Sequence, residues 1–464
     1  MPTDRTTAVC IPAETSFGMV QPSTGNRRLI LFSRFPAPGS TKTRMIPLLG
    51  AAGAASLQKS LTGRTVATAR CVASEIQATI DVFHEDGNDR VFRRWLGKGL
   101  AFHPQKGTDL GERMAHAFRM AFNTGADRVI LAGCDCPQLG IESIRQAFSA
   151  LDTHDVVLGP VQDGGYILIG LRKPFPCLFE EMPWGMPELY AETRSRIHVQ
   201  GLSLFELPTR SDVDRPDDLT ADVYQSIGWY SENRMTVIIP TRNEAGHIAE
   251  TVRVAFQDAD EVIVADGASE DDTRERAEEA GAKVLLFPYG RGAQLNAAAL
   301  EAKGEILAFL HADTRLPDGF GKEIAQVLRN PDISACAFEL AIEGGSLGVR
   351  AVACLANIRS RLLKLPYGDQ VLSMRRRDFL EMGGCVNWHI FEDLELVLRL
   401  RHRGNLTIIP QKVWTSARRW NRLGVLRTTL INQLMLAAYV AHMDPCRMAA
   451  LYRGMRERCV GNRE

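Results

Sequence analysis

The stretch VIVADGASEDDT at residues 262–273 joins an apolar, β-branched run to a turn that is rich in carboxylates. Two other fragments repeat this arrangement, VIIPTRNE at 237–244 and ILAFLHADT at 306–314. Short apolar runs of this kind predict buried strands of a parallel sheet, each ending where its polar residues begin. Because ligands of open α/β sheets bind beyond the carboxyl ends of the strands, the three fragments predict an α/β domain with a site at that edge.

The carboxylates that follow these runs indicate what the site binds. Asp266 is placed to accept hydrogen bonds from a nucleobase or a ribose, and Asp313 is expected to face the same crevice. A hard cation such as Mg²⁺ or Mn²⁺ takes oxygen ligands and usually binds diphosphate oxygens as well. A single strand followed by an Asp and a turn is also ordinary helix capping, but three in this order favour a nucleotide diphosphate and its metal.

In this order the fragments resemble the family 2 glycosyltransferases of GT-A fold, over roughly residues 235–420. In that family an acid after the second strand holds the nucleoside, and an Asp-x-Asp motif on the third strand binds the metal. The resemblance therefore implies that Asp266 contacts the nucleoside and that Asp313 binds Mg²⁺ or Mn²⁺. His311 stands where the first Asp of the motif belongs, which leaves Asp313 as the secure metal ligand of the pair.

Two loops extend the resemblance around the nucleotide-sugar. YGRGAQLN at 289–296 is similar to the family's basic, glycine-containing loop against the diphosphate, although a solvated surface charge is the alternative for Arg291. YGDQ at 367–370 is similar to a loop near the acceptor, with ordinary turn chemistry as the alternative. The predicted nucleotide-sugar-binding residues are Pro240, Thr241, Asn243, Glu244, Asp266, Ser269, Arg291, Gln294, Asn296, Asp369 and Gln370.

The catalytic prediction rests on FEDLE at 391–395, which opens a helix. Acids in a first helical turn are favoured by the helix dipole, so capping is one explanation for Glu392 and Asp393. The resemblance implies instead the family's Glu-Asp motif, with Asp393 as the general base for an inverting displacement. Further on, Arg418-Arg419-Trp420 lies where processive members carry Gln-x-x-Arg-Trp, but residue 416 is Ser, so polymerisation is not predicted.

The first half of the chain repeats the pattern of strands followed by charged loops. An apolar run at 29–32 precedes SRFPAPGSTKTR at 33–44, a loop that suits a triphosphate or another anion but lacks Walker spacing. Asp135 follows a second apolar run, and the glycines of DGGY at 163–166 would let backbone amides approach a ligand. The segment SDVDRPDDL at 211–219 supplies further acids.

Residues 28–222 resemble a family of nucleotidyltransferases, assigned by inference, that is similar to 2-phospholactate guanylyltransferase and to the molybdenum-cofactor nucleotidyltransferases. The resemblance implies that Asp135 and Asp214 bind the Mg²⁺ that bridges the nucleotide phosphates, while Lys42 and Arg44 neutralise the triphosphate. A binding-only domain is the alternative. The predicted nucleotide site consists of Arg34, Lys42, Arg44, Asp109, Gly133, Gly164 and Gly165.

Composition agrees with two globular domains. The 464 residues are 45% hydrophobic and 24% charged, and equal counts of 55 basic and 55 acidic residues argue against a nucleic-acid-binding surface. Ten cysteines without a Cys-x-x-Cys pattern indicate reduced thiols and a cytoplasmic protein. The predicted organisation is a flexible extension at 1–27, a nucleotidyltransferase-like domain at 28–227, a linker at 228–234 and a glycosyltransferase domain at 235–464 with a basic, helical C-terminal region.

The C-terminal region leaves two interpretations open. Residues 423–443 are apolar but are interrupted by Arg427, Asn432 and Gln433, so they make a poor membrane span. A helix packed on the catalytic domain is favoured. The alternative is an interfacial helix on anionic lipid, which would add peripheral contact with the inner face of the membrane.

Taken together, the sequence predicts an α/β protein of two tandem GT-A (Rossmann-like) domains, each a mostly parallel sheet flanked by helices. The second would move a sugar from a UDP- or GDP-sugar to the hydroxyl of a small-molecule or lipid acceptor with inversion. The first would supply the donor from a nucleoside triphosphate, as the resemblance of the pair to arsenosugar-biosynthesis glycosyltransferases implies. The alternatives are activity in the first domain only, or a non-catalytic nucleotide-sugar-binding protein.

Overall fold

Two separate sheets, each flanked by helices, form the architecture of this computed structural model. The structure describes residues 26–229, 234–344, 346–388, 390–418, 420, 424–441, 443–445 and 447–452. The predicted fold class of two GT-A, Rossmann-like sheets is confirmed. Most of the predicted N-terminal extension and of the predicted linker lies outside the described residues. Across the described part of the chain, every helix is too short or too polar to cross a bilayer.

Within residues 26–229, the first sheet has seven strands in the order β3-β2-β1-β4-β6-β5-β7, and only β6 runs antiparallel to its neighbours. Its strands are β1 Arg27–Arg34, β2 Thr79–Glu85, β3 Ala101–Pro104, β4 Arg128–Gly133, β5 Val156–Pro160, β6 Tyr166–Leu171 and β7 Leu204–Glu206. The accompanying helices are α1 Ile46–Ile76, α2 Asp89–Leu96, α3 Leu110–Asn123, α4 Ile141–Ala150, α5 Leu189–Val199 and α6 Ala221–Ser226.

The second sheet has eight strands in the order β10-β9-β8-β11-β14-β13-β15-β12, with the first four parallel. Its strands are β8 Met235–Thr241, β9 Glu261–Asp266, β10 Lys283–Leu286, β11 Ile306–Phe309, β12 Thr314–Arg315, β13 Ile333–Glu343, β14 Ser373–Arg375 and β15 Asn405–Ser416. The helices are α7 Ile248–Ala255, α8 Thr273–Glu279, α9 Arg291–Glu301, α10 Phe320–Leu328, α11 Leu347–Leu363, α12 Arg376–Glu381, α13 Glu392–Arg403 and α14 Val425–Val440.

The central strands are apolar on both faces because helices cover both faces of each sheet. In β1, Leu29 and Leu31 pack in one apolar cluster and Ile30 packs in the cluster on the other side. In β8, Ile238 likewise faces away from its neighbours Val237 and Ile239. These are the apolar runs that the sequence predicted to be buried strands. Their parallel pairing brings the carboxyl ends of β8, β9 and β11 to one edge, where the polar loops begin.

A buried polar contact joins the two halves. The Arg70 guanidinium of α1 donates to the carbonyl oxygens of Gly383 at 2.6 Å and Gly384 at 3.3 Å in the second half. The same guanidinium donates to Leu96 at 2.7 Å and Lys98 at 3.0 Å in the first half. Since Arg70 is only 1% exposed, these hydrogen bonds are shielded from water and hold the halves in a fixed contact.

Glu381 adds a second contact between the halves. Its buried carboxylate accepts a 3.0 Å hydrogen bond from Ser60 of α1 and pairs with Arg377 and Arg403 of its own half. Burial raises the pKa of this carboxyl, but the two arginines outweigh that effect and the pKa lies below its ordinary value. The backbone carbonyl of Glu381 also accepts a 2.6 Å hydrogen bond from Trp95.

Candidate functional site

The loops after β8 and β9 are tied to each other at the edge of the second sheet. Asp266 is fully buried at the end of β9, and its carboxylate accepts hydrogen bonds from the backbone and the hydroxyl of Ser269. The Ser269 hydroxyl in turn accepts a 2.9 Å hydrogen bond from the amide of Asn243, which has a φ of 55°. The amide oxygen of Asn243 accepts from Glu270 at 2.8 Å. These bonds bring three predicted site residues, Asn243, Asp266 and Ser269, together at the ends of β8 and β9.

Four segments that are distant in the sequence converge at the same edge of the sheet. The amide of Gly368 donates to Oδ2 of Asp393 at 2.8 Å, and Nη2 of Arg291 is hydrogen bonded to Nε2 of His311. A Cβ placed on Gly368 would lie 2.9 Å from Arg291 Nη2 and 3.2 Å from both Asp393 Oδ2 and His311 Nε2. The predicted base, the predicted diphosphate loop and the predicted third-strand motif are therefore in contact around one glycine.

The Glu392 carboxyl adds a titratable group to this cluster. Its pKa is raised to about 7 because burial and the charge of Asp393 both favour the protonated form, although Arg291 partly opposes them. Arg291 Nε lies 3.4 Å from Glu392 Oε1. Glu392 therefore retains a proton up to near-neutral pH, beside the carboxylate that is the candidate base.

The carboxylate oxygens of Asp313 and Glu244 fit a metal ion whose remaining ligands come from the substrate. Asp313 Oδ2 lies 3.6 Å from Arg418 Nη2, which also binds Glu244 at 2.6 Å. The second carboxylate oxygen of Glu244 is buried and has no hydrogen-bond partner among the described residues. Mg²⁺ commonly takes one or two protein carboxylates and fills its shell with phosphate oxygens and water, so this set suits it. His311 is engaged differently, since its Nε2 contacts Arg291.

Within the described ranges, no group of three or more His, Cys, Asp or Glu side chains forms a ready-made metal site. A cation at Asp313 would consequently depend on a diphosphate for several of its ligands.

Some predicted donor-site residues form hydrogen bonds with the backbone of other segments and do not contact the cluster around Gly368. The Asn296 amide makes two hydrogen bonds to the backbone of Cys385, at 2.9 and 2.7 Å. Gln370 is buried between Ser360, at 2.6 Å, and the Phe338 carbonyl, at 2.9 Å. Gln294 donates to the Ala265 carbonyl at 2.9 Å. Of the remaining residues, Pro240 and Thr241 end β8, and Asp369 lies in the short turn Gly368–Gln370.

The first half contains a cavity of about 600 Å³ at the carboxyl edge of its sheet. Predicted site residues line it, namely Arg34, Lys42, Arg44, Gly133, Asp135 and Asp214. Lys42 Nζ lies 3.0 Å from Asp135 Oδ1, 3.1 Å from Asp214 Oδ1 and 2.7 Å from the Val213 carbonyl. Arg44 Nη1 lies 2.7 Å from the second oxygen of Asp214.

The Lys42 ammonium marks a position that suits a cation. Burial lowers the pKa of Lys42, but the charges of Asp135 and Asp214 outweigh that effect and raise it overall. Two carboxylates that both reach one ammonium can both reach one metal ion, so the pair fits Mg²⁺ once Lys42 turns towards a phosphate. Asp212, two residues before Asp214, has its pKa raised to about 6 by burial and by the charges of Asp163 and Asp214.

Comparison with known proteins assigns the second half. Residues 236–383 match the family described as Glycosyl transferase family 2. The chain carries a family 2 glycosyltransferase domain. Residues 66–186 match the family described as Uncharacterized protein conserved in bacteria (DUF2064).

Several solved structures are similar to parts of this chain. An inferred nucleotide-diphospho-sugar transferase from Desulfovibrio desulfuricans G20 is 34% identical, covers 45% of this chain and 90% of its own, and has a TM-score of 0.41. Glucosyl-3-phosphoglycerate synthase from Mycobacterium tuberculosis, solved with Mn²⁺, uridine diphosphate and phosphoglyceric acid, is 18% identical over 39% of this chain and 70% of its own, with a TM-score of 0.28. S. aureus TarS 1–349, solved with UDP-GlcNAc, is 18% identical over 39% of this chain and 58% of its own, with a TM-score of 0.33.

Three predicted residues of the first half lie outside the 600 Å³ cavity lining. Asp109 caps α3 by accepting a 2.8 Å hydrogen bond from Glu112. Gly164 has a φ of 90°, and a Cβ there would lie 2.1 Å from the Pro187 carbonyl oxygen, so its glycine is required for packing. Gly165 donates to Asp163 at 2.9 Å in the same turn.

The sequence analysis did not predict two charged residues of this cavity, Glu85 and Arg113. Glu85 at the end of β2 accepts from Arg34 at 2.6 Å and from Arg113 at 3.0 Å, and all three residues line the cavity. An acid at the end of a parallel strand is the same signal that identified Asp266 and Asp135, so the position of Glu85 after the apolar residues of β2 was a usable clue. Arg113 lies within α3, where no local pattern distinguishes it from a solvated helical charge.

Proposed function

We propose that the family 2 glycosyltransferase domain transfers a sugar from a nucleotide-sugar to an acceptor hydroxyl with inversion of the anomeric carbon. The single observation that supports this most strongly is the contact of Gly368 with Asp393 beside Arg291 and His311. It joins the candidate base and the candidate diphosphate loop at one place.

The donor binds with its nucleoside at the crevice around Asp266 and its diphosphate at the start of α9. Arg291 is the first residue of that helix, so its guanidinium and the positive end of the helix dipole act on the same anion. Asp313 would hold Mg²⁺ or Mn²⁺, with the Glu244 carboxylate nearby, and the bound ion would supply positive charge for the departing diphosphate.

Asp393 takes the proton from the acceptor hydroxyl as that oxygen attacks the anomeric carbon. Its two carboxylate oxygens each accept one backbone hydrogen bond, Oδ2 from Gly368 and Oδ1 from Leu394, both at 2.8 Å. Each oxygen keeps a second lone pair, so the carboxylate is oriented and can still accept a proton. The anomeric carbon to leaving-oxygen bond breaks as the new glycosidic bond forms, and a single displacement from the opposite face inverts the configuration.

The cavity of the first half favours a second activity, nucleotidyl transfer that makes the donor. Lys42 and Arg44 supply positive charge for a triphosphate, and Asp135 with Asp214 supplies the oxygen ligands of a metal. Such catalysis consists mainly of positioning and charge neutralisation, which this cluster offers. The competing proposal is a first domain that only binds nucleotide, and the arsenosugar-type acceptor remains a prediction from resemblance.

A panel of UDP- and GDP-sugars tests the transferase assignment. Each donor is added to the full chain with Mg²⁺ or Mn²⁺, and both thermal stabilisation and release of nucleoside diphosphate are measured. We expect one donor class to stabilise the protein in a metal-dependent way and Asp266→Asn to remove that stabilisation. If no donor stabilises the protein or is turned over with either metal, the proposed function is wrong.

A further inference from the structure

Helices α11 and α14 present exposed apolar side chains that no element of the described chain covers. Within each helix they are spaced by three, four or eight residues, which places them on one face. On α11 they are Leu347 (84% exposed), Leu355 (63%), Ile358 (46%) and Leu362 (76%). On α14 they are Leu426 (87%), Leu430 (59%) and Leu434 (48%). We call these seven side chains the leucine surface.

The opposite faces of the same helices are packed, so the leucine surface is an outer face and not an unfinished core. Val349 and Ala353 of α11 pack on β13, and Val425 of α14 joins the same cluster. Ile431 and Met435 of α14 are also buried, in a separate cluster. The two helices meet at their first turns, where a Cβ on Gly348 would lie 3.4 Å from Val425. Isolated exposed leucines are common, but two adjoining stripes mark an interaction surface.

The charges carried by α11 and α14 themselves are of one sign. Neither α11 nor α14 contains an Asp or Glu, and their basic residues are Arg350, Arg359, Arg361 and Arg427, with Lys364 ending α11. Arg361 pairs with Glu339 and Arg359 stacks on Tyr367. For Arg350, Lys364 and Arg427 the described residues provide no ion pair. An apolar stripe bordered by unneutralised cations complements an anionic lipid surface, whereas two copies of it would repel each other.

Both helices lead directly to the candidate base. The loop that follows α11 carries Gly368, whose amide binds Asp393, and Ser360 of α11 is hydrogen bonded to Gln370 in that loop at 2.6 Å. Phe391, two residues before Asp393, packs against Ile431 and Met435 of α14, and its ring centroid lies 5.5 Å from that of Tyr439. The two helices that carry the leucine surface therefore also contact, through their packed faces, the segments that hold the candidate base.

We infer that the leucine surface binds the interface of an anionic lipid bilayer and that the acceptor is an amphiphile whose hydroxyl enters the site from that bilayer. The acceptor class rests on the proposed glycosyl transfer, whereas bilayer binding does not. Helices of this kind lie in the headgroup region with leucines inserted and arginines at the phosphates, which agrees with the lack of a membrane-crossing helix in the described chain.

Flotation with vesicles tests the binding. The full chain is mixed with phosphatidylcholine vesicles that contain phosphatidylglycerol, or with phosphatidylcholine vesicles alone, and bound protein is measured after flotation. We expect binding to the anionic vesicles and much weaker binding to the neutral ones. The triple variant L355Q, L426Q and L430Q should lose binding, and the double variant R350Q and R427Q should bind about fivefold more weakly for each arginine removed. The double variant L48Q and V199Q, which changes exposed apolar residues of the first half, should bind like the wild type.

Two further readouts separate this inference from the proposed function. The triple variant should release nucleoside diphosphate from a water-soluble donor at the wild-type rate in lipid-free buffer, since its changes lie outside the donor crevice. Asp393→Asn should float like the wild type and fail to transfer. The inference is overturned if the wild type does not float, if the triple variant floats equally well, or if light scattering shows a wild-type dimer that the triple variant abolishes.

Discussion

The backbone amide of Gly368 donates a 2.8 Å hydrogen bond to Oδ2 of Asp393, although the two residues belong to different elements and are separated by β14 and α12. A backbone N–H orients the carboxylate without placing a second charge beside it. It also needs little reorganisation when a proton is transferred. The position requires a glycine, because any Cβ would lie close to Arg291, His311 and Asp393 at once.

Gly368→Ala should reduce turnover by about tenfold to a hundredfold while the protein stays folded. The added Cβ would lie 2.9 Å from Arg291 Nη2 and 3.2 Å from Asp393 Oδ2, so both side chains must move. Steady-state kinetics should show the loss in kcat. Gly246→Ala is the matched control, since a Cβ there meets no atom within 4 Å. Equal activity of Gly368→Ala and wild type would show that the contact does not position the base.

The Glu392 carboxyl should make stability depend on pH. Burial and the neighbouring Asp393 raise its pKa from an ordinary 4.5 to about 7, so the folded state binds this proton more tightly than the unfolded chain. Stability is therefore expected to fall as pH rises from about 5 to above 7. Glu392→Gln should raise the Tm at pH 8 by several degrees and change it little at pH 5. Identical Tm profiles for the variant and wild type would contradict the raised pKa.

Lys42→Gln should weaken nucleotide binding in the first half. The change removes the ammonium that lies 3.0 Å from Asp135 and 3.1 Å from Asp214, and it leaves the two carboxylates facing each other. Thermal stabilisation by each nucleoside triphosphate with Mg²⁺ measures the effect. Lys173→Gln, at an exposed position of the same half, should keep the wild-type response. A nucleotide response that survives in Lys42→Gln would remove this lysine from the proposed site.

Arg70→Met should loosen the contact between the two halves. Methionine can fill much of the apolar volume, but four carbonyl oxygens that Arg70 now binds would lose their donor. Leaving such groups unpaired in a buried interface should cost about 3 kcal/mol or more. Urea unfolding measures the loss, and Arg90→Met at an exposed position of α2 is the control. Equal unfolding free energies would show that the interface tolerates the change.

Local patterns predicted the strand-end residues well. The apolar runs before Asp266 and Asp135 are strands because continuous β-branched residues suit a sheet that is covered on both faces, and the carboxylates follow where each run ends. These features depend on neighbours in the sequence, which is why the sequence alone could specify them.

Contacts between distant segments could not be predicted in the same way. No spacing rule relates Gly368 to Asp393 or Arg291 to His311, because packing of separate elements brings each pair together. Asn296 has a side-chain amide of the kind that binds ligands, yet this amide forms its hydrogen bonds with the Cys385 backbone. Arg70 lies in an otherwise apolar segment of α1, and its partners are carbonyl groups that every residue carries.

The most direct test of the central claim is turnover by Asp393→Asn. The full-length variant is given the nucleotide-sugar that stabilises the wild type most, and release of nucleoside diphosphate is followed alongside Glu250→Gln, which changes an exposed carboxylate on α7. We expect Asp393→Asn to keep the donor-dependent thermal shift and to lose turnover by about a hundredfold or more, while the control matches the wild type. Wild-type turnover by Asp393→Asn would contradict the assignment of this residue as the base.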